Sequence, residues 1–128
     1  MTPSKMTLKE MCEAYDVTPR TLRYYEYIEL LIPEKQGRKR FYGGKEKARL
    51  RLIKRGRRFG FTLEEIRQWL EMYDRKDQNQ AQLETWIAMA SKQTKELEER
   101  KIEIEAAIHD MQNLVGKAAR ELETLKKA

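Results

Sequence analysis

The chain has 128 residues, a net charge of +6, and hydrophobic and charged fractions of 40% and 38%. That balance fits one or two small units with a thin core and much exposed helix. One cysteine, Cys12, excludes an internal disulfide framework. No apolar run approaches the ~20 residues that span a bilayer and no secretory h-region is present, so a soluble, cytoplasmic protein without a membrane partner is expected.

The charge is unevenly placed. Residues 1–75 hold 18 Lys/Arg against 11 Asp/Glu, whereas residues 76–128 hold 9 against 10. From Lys35 to Arg58, 12 basic residues face a single acid, Glu46. A charge run is usually a solvated face, but one confined to half of the chain points to a polyanion site.

Met6 to Tyr15 reads as a first helix. Thr7-Leu8-Lys9-Glu10 is a capping box, with Leu8, Met11 and Tyr15 at helical spacing. Asp16-Val17 is a turn. Thr18 is an N-cap residue and Pro19 suits the first helical turn, so a second helix runs from Pro19 to about Ile28. It carries Arg20, Arg23 and Tyr24 on or near one side. Arginines fork onto guanine edges or phosphates, and tyrosines donate to phosphate. Helix, tight turn and Pro-started helix together predict a helix-turn-helix.

Pro33 stops helix continuation. Gln36-Gly37 offers a turn, and Lys39-Arg40-Phe41-Tyr42 returns as a strand, predicting a two-stranded wing over residues 31–42. A third helix is expected from Lys45 to Phe59, with Leu50 and Ile53 inward and Gly60 as its stop; Gly56 in its interior weakens it. Thr62-Leu63-Glu64-Glu65 is a second capping box and opens a fourth helix, whose stripe is Leu63, Ile66, Trp69, Leu70 and Tyr73.

Residues 74–79 are polar. They set the expected organisation: a mainly α protein with a winged helix-turn-helix domain over 1–75, a linker at 76–79, and a dimerisation helix over 80–128. In the last part Leu83, Ala90, Leu97, Ile104, Met111, Ala118 and Leu125 recur every seventh residue, and Ile87, Thr94, Lys101, Ile108, Val115 and Leu122 fill the second seam position. The first series is wholly apolar, which predicts a coiled coil joining two copies through Leu83, Ile87, Ala90, Leu97, Ile104, Ile108, Met111 and Val115. At ~1.5 Å per residue the seam from Leu83 to Val115 is close to 50 Å, too long for the N-terminal unit to cover. Gly116 either ends this helix and leaves a short extra one, or lies within it.

This combination resembles the MerR family of bacterial transcription regulators. The resemblance rests on Thr18-Pro19-Arg20-Thr21-Leu22-Arg23-Tyr24-Tyr25-Glu26, on Arg40-Phe41-Tyr42, and on Gly60-Phe61-Thr62-Leu63-Glu64-Glu65-Ile66. Arg55 to Phe61, followed by Met72-Tyr73-Asp74, is similar to the subgroup governing leucine/isovalerate or acyl-CoA degradation. The family implies a homodimer with an antiparallel coiled coil on a near-palindromic promoter. The duplex is bent and untwisted there, so that RNA polymerase, an indirect partner, can use an overlong spacer. By motif match, Thr18, Arg20, Arg23 and Tyr24 lie in or beside the major groove. Arg38, Arg40 and Tyr42 meet phosphate from the wing, and Tyr25 and Arg57 press the central backbone.

Other chemistry finds little footing. Residues 111–128 contain no Cys or His, Cys12 reads as a packed thiol and His109 stands alone, so neither a metal nor another cofactor is expected. No catalytic pair or phosphate-binding glycine loop is present, which disfavours an enzyme. Trp69, Tyr73 and Trp86 flank the linker; they serve as core packing or as an aromatic wall for a small organic effector. The alternatives are a nonspecific architectural nucleic-acid-binding protein and a coiled-coil scaffold with an incidental basic head. The Arg-Tyr helix argues against the first and the lopsided charge against the second.

Overall fold

In a computed structural model, which describes residues 5–75 and 79–128, the elements run β1 (Met6–Thr7), α1 (Leu8–Tyr15), α2 (Pro19–Tyr27), β2 (Glu34–Gln36), β3 (Lys39–Tyr42), α3 (Gly44–Phe59), α4 (Leu63–Asp74) and α5 (Gln80–Lys127). The chain divides into two compact units, Met1–Leu83 and Glu84–Ala128. Of the expected linker, residues 76–78 lie outside the described residues.

The helix starts follow local chemistry. Thr7 and Glu10 satisfy each other's backbone N–H groups at 3.2 and 3.0 Å, and Thr62 and Glu65 do the same at 3.1 and 2.8 Å. Thr18 Oγ1 accepts from the Thr21 N–H at 3.1 Å ahead of Pro19. Asn79 and Gln82 make the equivalent pair before α5, at 2.9 and 3.4 Å. Asn79, read from sequence as the last residue of a linker, is therefore a helix cap. Gly60 ends α3 at φ +86°.

The wing departs from its expected form. It has three strands in the order β1-β3-β2, not two. Met6 pairs with Tyr42 and Thr7 with Phe41, and on the other side Glu34 pairs with Phe41. Residues 6 and 7, expected to open the first helix, are thus strand, and the helix begins at Leu8. The N-cap residue of a helix has extended backbone, and Thr7, at φ −76° and ψ 170°, uses that extension to pair with β3.

The head's core is built from Met11, Leu22, Leu30, Leu31, Tyr42, Leu50, Ile53, Phe61, Ile66 and Leu70. Gly56 lets α3 and α4 approach. A Cβ there would lie 2.7 Å from Ile66 Cγ1 and 3.7 Å from Trp69 Cε3. The residues after α2 are held from α3 and α4: Glu46 accepts from the Ile32 N–H at 2.8 Å, Arg49 Nε donates to the Leu30 carbonyl at 2.9 Å, and Arg67 donates to the Ile28 carbonyl. Each bond satisfies a backbone group that leaves helix without entering strand.

The helix α5 is continuous for 48 residues, about 72 Å at ~1.5 Å per residue. Gly116 lies inside it, and only the Arg120 Nη1, 3.6 Å away, would meet an added Cβ. Its seam residues Leu83, Ile87, Leu97, Ile104, Ile108, Met111 and Val115 are all exposed in the single chain. No helix among the described residues is long and apolar enough to cross a membrane.

Candidate nucleic-acid interface

The helix α2 is amphipathic across a sharp boundary. Leu22 and Tyr25 are buried, while Arg20, Arg23, Tyr24 and Tyr27 are exposed. Those four sit at i, i+3, i+4 and i+7, so they form one stripe along the helix. Tyr24 is 49% exposed and Tyr27 83%. Tyr27 is a residue that sequence reasoning missed, although its spacing from Arg20 would have found it. Thr18 is exposed at the N-terminus but its side chain is occupied as a cap, bonded to the Thr21 N–H and to Thr21 Oγ1.

Two of the expected phosphate contacts lie elsewhere. Tyr42 is 0% exposed, and its hydroxyl donates to the Glu26 carboxylate. Burial first, and then Glu26, hold its phenol well above the usual tyrosine range. It is a core residue that braces Glu26 and does not reach a phosphate from the surface; α1 and α3 both pack against β3. Tyr25 is buried as well. Burial raises its phenol pKa, the charge of Arg57 opposes that rise, and Arg57 itself is exposed. Arg57 also donates to the Phe61 carbonyl at 3.3 Å.

The wing presents Lys35, Gly37, Arg38, Lys39 and Arg40 around a shallow depression of about 350 Å³. Arg38 is exposed and Arg40 half-buried. Arg40 Nε lies 2.9 Å from Glu26 Oε2. That enclosed N–H has no aligned acceptor, so the two groups attract as charges more than through a directed hydrogen bond.

Part of the basic run is structural. Arg51 donates to the Tyr15 hydroxyl at 3.1 Å, Lys54 to the Tyr15 carbonyl at the end of α1, and Arg49 pairs with Asp74. The charge count alone thus overstates the cation available to a polyanion.

The candidate effector residues divide. Trp69 packs with Phe59 and Phe61 at ring-centroid distances of 6.3 Å each. Tyr73 is exposed on α4, and Trp86 lies on α5. Cys12 is half-buried, with its thiol pKa raised by burial and then by Glu13. Among the described residues no group of three or more Cys, His, Asp or Glu is placed to hold a metal ion.

An exposed Arg-Tyr helix beside a cationic wing is the arrangement of a DNA reader, and the comparison with known proteins agrees. The family model described as MerR HTH family regulatory protein matches residues 6–73, and that described as MerR, DNA binding matches residues 47–114. The chain belongs to the MerR family. It is a DNA-binding transcription regulator and not an enzyme. Among its relatives, the HTH-type transcriptional regulator HmrR of Rhizobium leguminosarum is 33% identical over 109 residues, covering 81% of this chain and 84% of that one. The heavy metal-dependent transcription regulator 2 of Rhizobium meliloti is 28% identical over 113 residues, covering 87% and 75%. A MerR-family regulator of Bacillus cereus superposes with a TM-score of 0.72 at 25% identity, over 89% of this chain and 82% of that chain.

Proposed function

We propose that this MerR-family protein binds a near-palindromic promoter as a homodimer and distorts the duplex so that RNA polymerase can use it. The exposed stripe of Arg20, Arg23, Tyr24 and Tyr27 on the capped helix α2 carries the reading. In it Arg20 and Arg23 reach base edges, while Arg38, Arg40 and Arg57 neutralise phosphates. Base contacts specify and phosphate contacts position. The dimer rests on α5. A lone helix would leave its long apolar seam in water, and a second copy covers it.

The test begins with selection of genomic fragments by the purified protein, which returns the operator. Arg20→Ala or Arg23→Ala should then cost about 1–3 kcal/mol on that operator and little on random duplex. Arg38→Ala or Arg57→Ala should weaken both and lower the salt slope by roughly one unit. Equal losses on both DNAs for the α2 variants would remove base reading and leave a nonspecific architectural protein.

The signal in this proposal is a small organic molecule of the acyl-CoA or branched-chain catabolite class, and Trp69, Tyr73 and Trp86 are its candidate contact residues. The resemblance of residues 55–61 and 72–74 to the acyl-CoA subgroup supports it. An effector acts only by binding one arrangement of the DNA-binding heads better than another. A second reading, a metal signal, is favoured by the name of the Rhizobium meliloti relative. DNA affinity measured across acyl-CoA thioesters and divalent metals separates the two: a response to a metal alone, at stoichiometric binding, sinks the organic effector.

A further inference from the structure

Two side chains of the wing end on one carboxylate of the reading helix. Arg40 and Tyr42 are two residues apart on β3, so they project to the same face of the strand. On that face Glu26 of α2 accepts from the Tyr42 hydroxyl through Oε1 and stands 2.9 Å from Arg40 Nε through Oε2. The Glu26 side chain keeps only 10% of its accessible area. Both oxygens are therefore committed to one strand, at the point where the wing meets the helix.

A carboxylate beside a phosphate-binding surface is a liability in itself, because it repels the polyanion. The arrangement gives it a compensating task. Arg40 has five N–H donors, and an unrestrained guanidinium loses side-chain freedom when it takes a phosphate. An arginine already held by Glu26 has paid that entropy on folding. We propose that Glu26 is a positioning residue for DNA binding: it holds Arg40 in the conformation that meets a phosphate and locks the wing to the reading helix. The inference rests on the reading of Arg40 as a phosphate contact.

The experiment uses the full chain and a fluorescein-labelled duplex of random sequence, followed by anisotropy over a range of salt concentrations. The proteins are wild type, Glu26→Gln, Glu26→Asp, Arg40→Ala and each Glu26 variant combined with Arg40→Ala. Glu26→Gln still offers an acceptor to Tyr42 but loses the charge. Glu26→Asp keeps the charge but withdraws it by one methylene. Positioning predicts that Glu26→Gln weakens binding about two- to tenfold, the cost of ordering one long side chain. Glu26→Asp should weaken it too, although the net charge is unchanged. In the Arg40→Ala background the loss should vanish, and Glu26→Gln should strengthen binding by removing an unpaired acid. Tighter binding and a steeper salt slope for Glu26→Gln in the wild-type background would overturn the proposal, as would an unaffected Glu26→Asp. Equal losses with and without Arg40 would reduce Glu26 to a role in folding and overturn it as well. If Arg40→Ala leaves affinity and salt slope unchanged, the wing reading fails and positioning falls with it. If Arg40→Ala weakens binding and the Glu26 variants do not, positioning alone fails.

Discussion

Gly56→Ala should destabilise the DNA-binding unit, although the same change in an exposed helix interior stabilises by about 1 kcal/mol. The new Cβ would lie 2.7 Å from Ile66 Cγ1 and 3.0 Å from Ile66 Cδ1. Carbon atoms in contact prefer about 3.5–4.0 Å, so Ile66 must withdraw by about an ångström. It has nowhere to go: it is 0% exposed, and a β-branched chain in a helix is stiff at χ1. Overpacking of this kind costs about 1–3 kcal/mol. Against the propensity gain, the net loss is about 1 kcal/mol. The double variant identifies the cause. With Ile66→Ala in place the clash disappears, and Gly56→Ala should become stabilising, with a coupling energy of about 1–3 kcal/mol. Urea unfolding, followed by Trp fluorescence at one fixed protein concentration because the stability of an associating chain depends on it, measures all four proteins. A Gly56→Ala single variant more stable than wild type, or no coupling to position 66, would refute the reasoning.

Leu97→Asp should dissociate the dimer. Each dimer would bury two carboxylates in the seam, at about 3–5 kcal/mol for each uncompensated charge, so sedimentation at micromolar concentration should return a monomer. A persistent dimer would move the interface away from this seam. Tyr42→Phe should flatten the alkaline decline in stability. The folded phenol pKa is raised, first by burial, so the unfolded phenol ionises first, at about pH 10. The stability that Tyr42 contributes is whole below that pH and is lost as pH rises towards the folded pKa. Urea midpoints at increasing alkaline pH should therefore fall less in the variant, and parallel curves would contradict the assigned burial.

Much of this protein was legible locally. The capping residues Thr7, Thr18 and Thr62 announced their helices because a cap and its partner lie within three residues of each other. The seam of α5 was legible because its heptad repeats within one helix, and the Arg-Tyr motif of α2 because it is contiguous. The side chains that such local patterns expose, Arg20, Arg23 and Tyr24, lie in the open along α2. Tertiary structure decided the rest. Met6–Thr7 became a third strand through pairing with residues 36 and 34 positions away, which no local period encodes. Gly56 read as a flaw in a helix until Ile66 was seen above it. Gly116 read as a candidate stop, but no left-handed or capping geometry forms there and the helix continues. The role of Tyr42 reversed, and Glu26 acquired one, for a single reason. An aromatic beside an arginine reads as surface chemistry in sequence, but the packing of α1 and α3 on β3 left the phenol buried, with the carboxylate of Glu26 against both Tyr42 and Arg40. Periodicity and caps determine which elements form; which polar group ends up shared between them depends on the packing of elements distant in the chain.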